Sequence, residues 1–368
     1  MSIKKAAAVA LVAALGVTTL AACGGDSDSG TKKDAAGKSG APAPKNVTLV
    51  THDSFAASKE VLADFTKQTG FTVKVLKAGD AGEAVNKEIL TKGSPQGDVF
   101  FGVDNTLLSR ALDNGIFVPY EAKGLDRVPE AYLLDKEHRV TPVDSGDICV
   151  NYDKKYFADK KLAPPVTFDD LAKPAYKDLL VVENPERSSP GLGFLLGTAA
   201  KYGDEGWQDY WKKLKANGVK TVDSWELAYN QEFSGSAGGK QAKGDRPLVV
   251  SYASSPPVEV LYGEPQPKVA PTGVSTGTCF RQTEFAGLLN GAKNPEGGKA
   301  LIDFLISKKF QEDMPLQMFV NPVAKDAALP ELFTKHGVVV DKPETMAPDK
   351  IAANRDAWIQ QWSSLVLK

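Results

Sequence analysis

The sequence predicts an α/β fold in two lobes with a ligand cleft between them, and three observations support this. Residues 47–113 alternate between short apolar runs and amphipathic segments, and a second alternation begins after Pro142. Helical patterns return near the end of the chain. Regular alternation is typical of parallel sheets covered by helices. Two lobes joined by two crossings of the chain form a hinge, which commonly closes around a ligand.

The first lobe is predicted to begin with three strands, each followed by a helix. Short apolar runs indicate the strands, and apolar side chains spaced three or four residues apart indicate the helices. Gly70 follows the first helix, as glycine often does at a helix C-terminus. The predicted order is strand 47–51, helix 56–68, strand 71–76, helix 81–91, strand 98–101 and helix 104–113.

The second lobe is predicted to have the same character before the chain returns to the first lobe. Strands are predicted over 148–152, 179–182, 248–251 and 279–283, and helices over 168–172, 191–202, 205–216, 294–306, 308–314 and 347–366. We therefore assign residues 46–143 and 284–368 to lobe 1, which includes the C-terminal helix, and residues 144–283 to lobe 2.

The first residues have the features of an export signal. Lys4 and Lys5 precede an apolar run over 6–15, and residues 20–23, Leu-Ala-Ala-Cys, match the bacterial lipobox. We expect a signal peptide over 1–22, lipidation at Cys23 and a flexible polar tether over 23–45. The sequence thus predicts an extracytoplasmic protein that is lipid-anchored to the cell membrane.

Charge and cysteine content narrow the class of protein further. The formal net charge is −2, and it becomes −4 without Lys4 and Lys5. A nucleic-acid partner is not expected at this charge, because such proteins are usually strongly basic. Cys149 and Cys279 remain once Cys23 is lipidated, and an even pair in an oxidising compartment predicts a disulfide. Two buried thiols are the alternative.

The sequence gives little support for catalysis, a metal or a cofactor. It has three histidines (His52, His138 and His336) and lacks the G-x-S-x-G, H-E-x-x-H, C-x-x-C and nucleotide-binding patterns. We therefore expect no enzyme activity and no cofactor. A secreted hydrolase with a Cys149/His52 pair is the alternative, and it requires a free thiol at Cys149.

Carboxylates and aromatic rings are the remaining candidates for a site. Ligands of open α/β sheets bind beyond the carboxyl ends of the strands, where loops of the first lobe carry three aspartates. Aromatic faces attract a flat cation, and carboxylates accept hydrogen bonds from its amines. Helix capping is the alternative role for each aspartate. The candidates are Asp53, Asp80, Asp104, Trp225, Tyr229, Tyr252 and Phe319.

Residues 46–366 resemble the thiamine-binding substrate-binding proteins of ABC importers, which have the type II periplasmic-binding-protein fold. Several stretches carry the resemblance in order along the chain. They include HDSFAAS at 52–58, NPERSSPGLGFLL at 184–196, SWELAY at 224–229, VVSYASSP at 249–256 and NPVA at 321–324.

The resemblance implies roles for individual residues of this chain. Position by position, it implies that His52, Tyr252 and Phe319 hold the thiamine rings. Trp225 and Asp80 also match site positions. The family usually has tyrosine in place of His52 and tryptophan in place of Phe319, so the resemblance implies weaker stacking in this chain.

The resemblance also implies the ligand and the partners. Ser188 and Ser189 lie where a helix N-terminus could hold the hydroxyethyl end of thiamine or a phosphate. The implied ligand is thiamine or a thiamine phosphate, and the implied partners of the monomeric protein are an ABC permease and its ATPase. A polyamine and ferric iron remain open as alternative ligands. A polyamine site would have acids without aromatic rings, and an iron site would have paired tyrosines.

Overall fold

A computed structural model of the protein describes residues 45–236 and 244–368. The predicted signal peptide, Cys23 and the tether up to residue 44 lie outside the described residues. Within the described part of the chain, no helix has the length and apolar character needed to cross a membrane.

The first strands and helices follow the predicted order. The elements are β1 (Asn46–Thr51), α1 (Lys59–Thr69), β2 (Thr72–Lys77), α2 (Ala81–Leu90), β3 (Val99–Asp104) and α3 (Leu108–Asp113). Strand β1 pairs in parallel with both β2 and β3, which confirms the predicted parallel arrangement. Helix α1 begins later than predicted because Ser58 is its N-cap, and the Ser58 hydroxyl accepts a hydrogen bond from Val61 N (3.2 Å).

The middle of the chain adds most of the remaining sheet. The elements are β4 (Phe117–Val118), β5 (Thr141–Asp153), α4 (Lys154–Lys160), α5 (Phe168–Leu171), β6 (Leu180–Glu183), α6 (Ser189–Ala216), β7 (Lys220–Val222), α7 (Trp225–Leu227), β8 (Leu248–Tyr252), α8 (Pro256–Tyr262) and β9 (Thr272–Leu289). Two separate helices were predicted where α6 lies. Gly203, with φ of 75°, interrupts α6 at the predicted gap.

The chain ends with short elements and a long helix. They are α9 (Pro295–Leu305), α10 (Lys308–Met318), β10 (Asn321–Pro322), α11 (Glu331–His336) and α12 (Pro348–Val366). Trp358 and Trp362 of α12 are buried, as its amphipathic pattern predicts. Trp362 packs edge-on against Trp211 of α6, with ring centroids 5.4 Å apart. Arg355 Nη1 donates to Ser109 Oγ of α3 (3.1 Å), so α12 contacts helices on both sides of the predicted lobe boundary.

Strands β5 and β9 form the centre of the sheet. The strand order is β2-β1-β3-β9-β5-β8-β6-β7, with β4 on β9 and β10 on β5. The antiparallel β5–β9 ladder extends from Thr141 opposite Ala286 to Asp153 opposite Thr272. These strands are much longer than predicted because they pair with β3 at one end and with β8 at the other. The lobe boundaries themselves remain a prediction.

A disulfide lies on this central ladder. Cys149 of β5 and Cys279 of β9 are bonded to each other, although they are 130 residues apart in sequence. Both cysteines are buried, and Ala253 and Val340 pack around them. The bond predicted from the even cysteine count is therefore present, and it crosslinks the two strands that both halves of the sheet share.

Candidate functional site

Seven of the predicted site residues line one cavity. Its walls come from loops at both ends of the strand order, and its empty volume, including the open mouth, is about 710 Å³. The seven residues are His52, Asp53, Asp80, Ser189, Trp225, Tyr252 and Phe319. The structure thus brings together residues that lie up to 267 positions apart in the sequence.

The carboxyl ends of the strands place several of these side chains. His52 and Asp53 follow β1, Asp80 follows β2, and Tyr252 is the last residue of β8. The Asp53 backbone N–H donates to Gly79 O (2.9 Å), and Asp53 Oδ1 accepts from Gly79 N (3.1 Å). These two hydrogen bonds hold the loops after β1 and β2 together at the rim of the cavity.

Asp80 links the two sides of the cavity. It is the N-cap of α2, where Oδ1 accepts from Ala81 N (2.7 Å), and its Oδ2 accepts from Trp225 N on the opposite wall (3.0 Å). Burial raises the pKa of Asp80, while these backbone hydrogen bonds partly offset the increase. A second link joins Ser54 Oγ to Glu226 Oε1 (3.3 Å). The cavity walls therefore touch at two hydrogen-bonded points.

Trp225 and Tyr252 form an aromatic wall. Trp225 Nε1 donates to Ser251 Oγ (2.9 Å), which fixes the indole, and the Tyr252 ring lies 6.5 Å from it at an angle of 53°. Tyr229 does not line the cavity, contrary to the prediction. It is buried behind Trp225, stacked at 5.1 Å and 15°, and its hydroxyl donates to Glu259 Oε1 (2.8 Å). Tyr229 thus supports the wall from behind.

Phe319 contributes an aromatic ring from the end of α10. It is the C-cap of that helix and adopts a left-handed conformation, with φ of 58°. Its ring lies 6.2 Å from Phe333 in a stacked arrangement and 5.9 Å from Tyr262 in an edge-on arrangement. These neighbours orient Phe319, and Met318 and Val320 beside it also line the cavity.

His52 faces a buried carboxylate that the sequence did not indicate. His52 Nε2 lies 3.7 Å from Glu284 Oε2, too far for a direct hydrogen bond but within the range of an ion pair when the imidazole is protonated. Burial alone lowers the pKa of His52, but Glu284 and then Asp80 outweigh it, so the pKa lies above its ordinary value of 6.5. Gly102, with φ of 108°, leaves space for the imidazole, because a Cβ there would collide with it.

Glu284 occupies a central position on β9, directly opposite Asp144 of β5. Its side chain is 8% exposed, and this exposed part faces the cavity. Burial, and then the nearby Glu284 carboxylate, raise the pKa of Asp144 well above its ordinary value. Burial and the Glu284 carboxylate thus favour the protonated form of Asp144. The floor of the cavity combines an acid with a histidine.

Two other predicted residues are buried outside the cavity. Asp104 accepts hydrogen bonds from Thr106 N (3.0 Å), Thr106 Oγ1 (2.5 Å) and Leu107 N (3.2 Å). These bonds stabilise the turn before α3, whereas the N-cap residue of the helix itself is Leu107, so Asp104 does not have the helix-capping role given as its alternative. Gln282 Nε2 also donates to it (2.6 Å). Burial is the main cause that raises the pKa of Asp104 to about 6. Ser188 is the buried N-cap residue of α6, and Ser189 after it reaches the cavity.

Some residues that line the cavity were not predicted from the sequence, for two different reasons. Ser224, Glu226 and Ser255 lie within the stretches SWELAY and VVSYASSP, so those motifs contained the signal. Glu284 has no local signal, because only the pairing of β9 with β5 and β3 places it at the cavity floor. Long-range strand pairing of this kind is not visible in a single sequence.

The lining distinguishes among the alternatives that the sequence left open. Tyr252 is the single tyrosine among the described lining residues, whereas an iron site was expected to have a pair. Within the described residues, no group of three or more His, Cys, Asp or Glu side chains is placed to hold a metal. The cavity combines acids with rings, unlike the expected polyamine site. The Cys149 sulfur is in the disulfide, so the Cys/His hydrolase lacks its thiol.

Comparisons with known proteins agree with this geometry. The family described as bacterial extracellular solute-binding protein matches residues 94–251. The thiamine-binding periplasmic proteins of Salmonella typhimurium and Escherichia coli are each 30% identical to this chain over 328 residues, which is 87% of this chain and 93% of each relative. A solved periplasmic thiamin binding protein superposes with a TM-score of 0.74 at 28% identity, covering 87% of this chain and 96% of that one.

Proposed function

We propose, because this chain belongs to the family of thiamine-binding periplasmic proteins, that it captures thiamine outside the cytoplasm and delivers it to an ABC permease driven by an ATPase. The chain has the fold of periplasmic binding proteins, and its relatives bind solutes and are not enzymes. The role that we assign to it is therefore binding and delivery, without a chemical step.

The observation that carries this proposal is the convergence of three aromatic rings and two inner carboxylates on one cavity. Trp225, Tyr252 and Phe319 offer ring faces, and Asp80 and Glu284 offer negative charge. Thiamine has a positively charged thiazolium ring and an aminopyrimidine with an exocyclic amine. Ring faces attract the thiazolium, and a carboxylate accepts a hydrogen bond from the amine.

The magnitudes show that the rings alone are insufficient. A desolvated cation–π contact contributes about 2 kcal/mol, whereas nanomolar binding requires about 12 kcal/mol. Hydrogen bonds and contact between the walls must supply the remainder. The links from Asp80 to Trp225 and from Ser54 to Glu226 are interactions of that kind, because they form only when the walls meet.

Calorimetric titration tests the proposal. Thiamine should bind at one site per chain, whereas spermidine and ferric citrate should bind far more weakly or not at all. A preference for spermidine or for ferric citrate would refute the thiamine assignment. Titration of free thiols in the native protein tests the hydrolase alternative, which requires a reactive Cys149.

The proposed location is the outer face of the cell membrane, with a lipid at Cys23 as the anchor. Cys23 and the lipobox support this proposal through the sequence alone. A Cys23→Ser variant should leave the membrane fraction or accumulate as an uncleaved precursor. Wild-type protein that stays in the aqueous phase during detergent partitioning would contradict the anchor.

We further propose that the protein is a monomer, for which sedimentation analysis is the test.

A further inference from the structure

We propose that Gln282 is a positioning residue of the thiamine site, an inference that rests on the proposed function. In this role its side-chain amide holds the Asp104 carboxylate beneath the cavity and joins it to the cavity wall. Gln282 itself does not line the cavity. It lies on β9 two residues before Glu284, so both side chains point to the same face of the sheet. Gln282 is only 1% exposed, so its amide must find its partners within the protein.

The Gln282 amide connects two elements that lie in different predicted lobes. Its Nε2 donates to Asp104 Oδ2 (2.6 Å), at the end of β3, and to Ser189 Oγ (3.2 Å), at the start of α6. All three residues are buried, although Ser189 also reaches the cavity. Loss of the amide would leave Asp104 Oδ2 without this buried partner, which is costly for a polar group.

The same amide lies close to Tyr252 of the aromatic wall. Gln282 pairs with Gly146 of β5. A Cβ at Gly146 would lie 3.1 Å from Tyr252 Cδ1 and 3.8 Å from Gln282 Oε1, so the glycine leaves room for both side chains. Burial, and then nearby carboxylates, raise the pKa of Tyr252, and a hydrogen bond with the Gln282 side chain partly offsets this increase. Gln282 thus contacts a ring that we expect to stack on the ligand.

The hydrogen bond from Gln282 favours the ionised form of Asp104. Burial raises the pKa of Asp104 to about 6, and Gln282 is the strongest of the groups that lower it. Asp104 also interacts with the charges of Glu284, Asp144 and Tyr252, and Glu284 raises its pKa further. Without the amide, the pKa of Asp104 should rise, and more of this carboxyl would be protonated near neutral pH. The protein would then lose negative charge close to a cationic ligand.

Calorimetric titration of thiamine into the wild type and Gln282→Met at several pH values tests the inference. Methionine has a similar length but cannot donate to Asp104. Near neutral pH, Gln282→Met should bind thiamine roughly three- to tenfold more weakly, the range for one lost hydrogen bond. The pH below which the affinity falls should also be higher than in the wild type, because Asp104 gains its proton earlier. An unchanged pH profile would refute the inference.

Two further variants separate this role from a general effect on the fold. Asp104→Asn keeps the shape of the side chain but does not titrate, so adding Gln282→Met to it should leave the pH profile unchanged. A shift in that double variant would show that Gln282 does not act through Asp104. Gln282→Asn, whose amide is one methylene shorter, should shift the profile in the same direction as Gln282→Met, even if the methionine variant misfolds.

Gln311→Met is the matched control. It removes another buried glutamine amide, on α10, whose hydrogen bonds all go to backbone groups. This change should lower the free energy of unfolding and leave the pH profile of thiamine binding unchanged. An equal shift of the profile in Gln311→Met would contradict a specific role of Gln282.

The outcomes separate this inference from the proposed function. An NMR titration of the Asp104 carboxyl carbon in the protein without ligand should give a higher pKa in Gln282→Met than in the wild type, and an unchanged pKa would refute the inference. If thiamine binds equally to both proteins at every pH, the inference fails and the proposed function stands. If thiamine binds to neither protein, the proposed function fails, and the inference fails with it.

Discussion

Tyr252 has two roles, because it ends strand β8 and also presents its ring to the cavity. Its backbone N–H donates to Ser255 Oγ (3.2 Å), and its ring lies beside Trp225. Tyr252→Ala should weaken thiamine binding by about 1–3 kcal/mol, the usual range for truncating a buried aromatic anchor. Tyr252→Phe keeps the ring and should bind within a few-fold of wild type, so calorimetry on both variants isolates the stacking. Equal losses in the two variants would contradict a stacking role.

The environment of His52 predicts that thiamine binding depends on pH. Burial and, to a smaller extent, Lys77 lower the pKa of His52, whereas Glu284 and Asp80 raise it, and the result lies above the ordinary value of 6.5. As the pH falls through this pKa, His52 gains a positive charge that repels the ligand and offsets Glu284. Asp104, with a pKa of about 6, loses negative charge over a similar range. Both changes weaken the attraction for a cation.

We therefore expect the affinity for thiamine to fall as the pH falls, by up to about tenfold per pH unit for one linked proton. Titrations at several pH values measure the slope. His52→Gln should reduce it, and comparison at equal pH cancels protonation of the ligand itself. Tighter binding at lower pH in the wild type would contradict this account of the cavity floor.

Site residues that come directly after a strand were predicted from the sequence more successfully than site residues that lie within a strand. His52, Asp53 and Asp80 follow β1 and β2, and the rule that ligands bind beyond strand ends places them in advance. Tyr229 lies four residues after Trp225, so its ring stacks on the indole and is buried in the core behind it. Glu284 needed the pairing of β9 to be recognised.

At the level of elements, the β5–β9 ladder holds the sheet together, and the Cys149–Cys279 disulfide crosslinks it. Removing the bond frees a loop of 130 residues in the unfolded chain. The double variant Cys149→Ala/Cys279→Ala should lower the free energy of unfolding by about 2–5 kcal/mol. Guanidinium denaturation measures this change, and the reduced wild-type protein is the control. An unchanged free energy of unfolding would show that the bond does not constrain the chain.

Strands and helices with local signals were predicted well, whereas elements defined by distant partners were not. The helix signals around Gly70 and Gly203 marked real boundaries, because a left-handed or strained backbone conformation favours glycine. Strands β5 and β9 were predicted as short pieces. Their outer parts are stabilised by pairing with β3 and β8, and that pairing is a property of the folded sheet.

For the whole molecule, the alternation of strands and helices predicted the α/β class, and the resemblance along the chain predicted the family. Helix α12 adds a feature that the sequence did not reveal. It packs on α6 through Trp362 and Trp211 and reaches α3 through Arg355 and Ser109. An amphipathic pattern identifies the buried face of a helix but not the elements that cover it.

A crystal structure of the protein with thiamine, at a concentration that calorimetry shows to be saturating, is the strongest test of whether this cavity is the thiamine site. We expect density for thiamine in the cavity, with its rings against Trp225, Tyr252 or Phe319 and its amine or thiazolium beside Asp80 or Glu284. An empty cavity, or thiamine bound at any other place on the saturated protein, would contradict it.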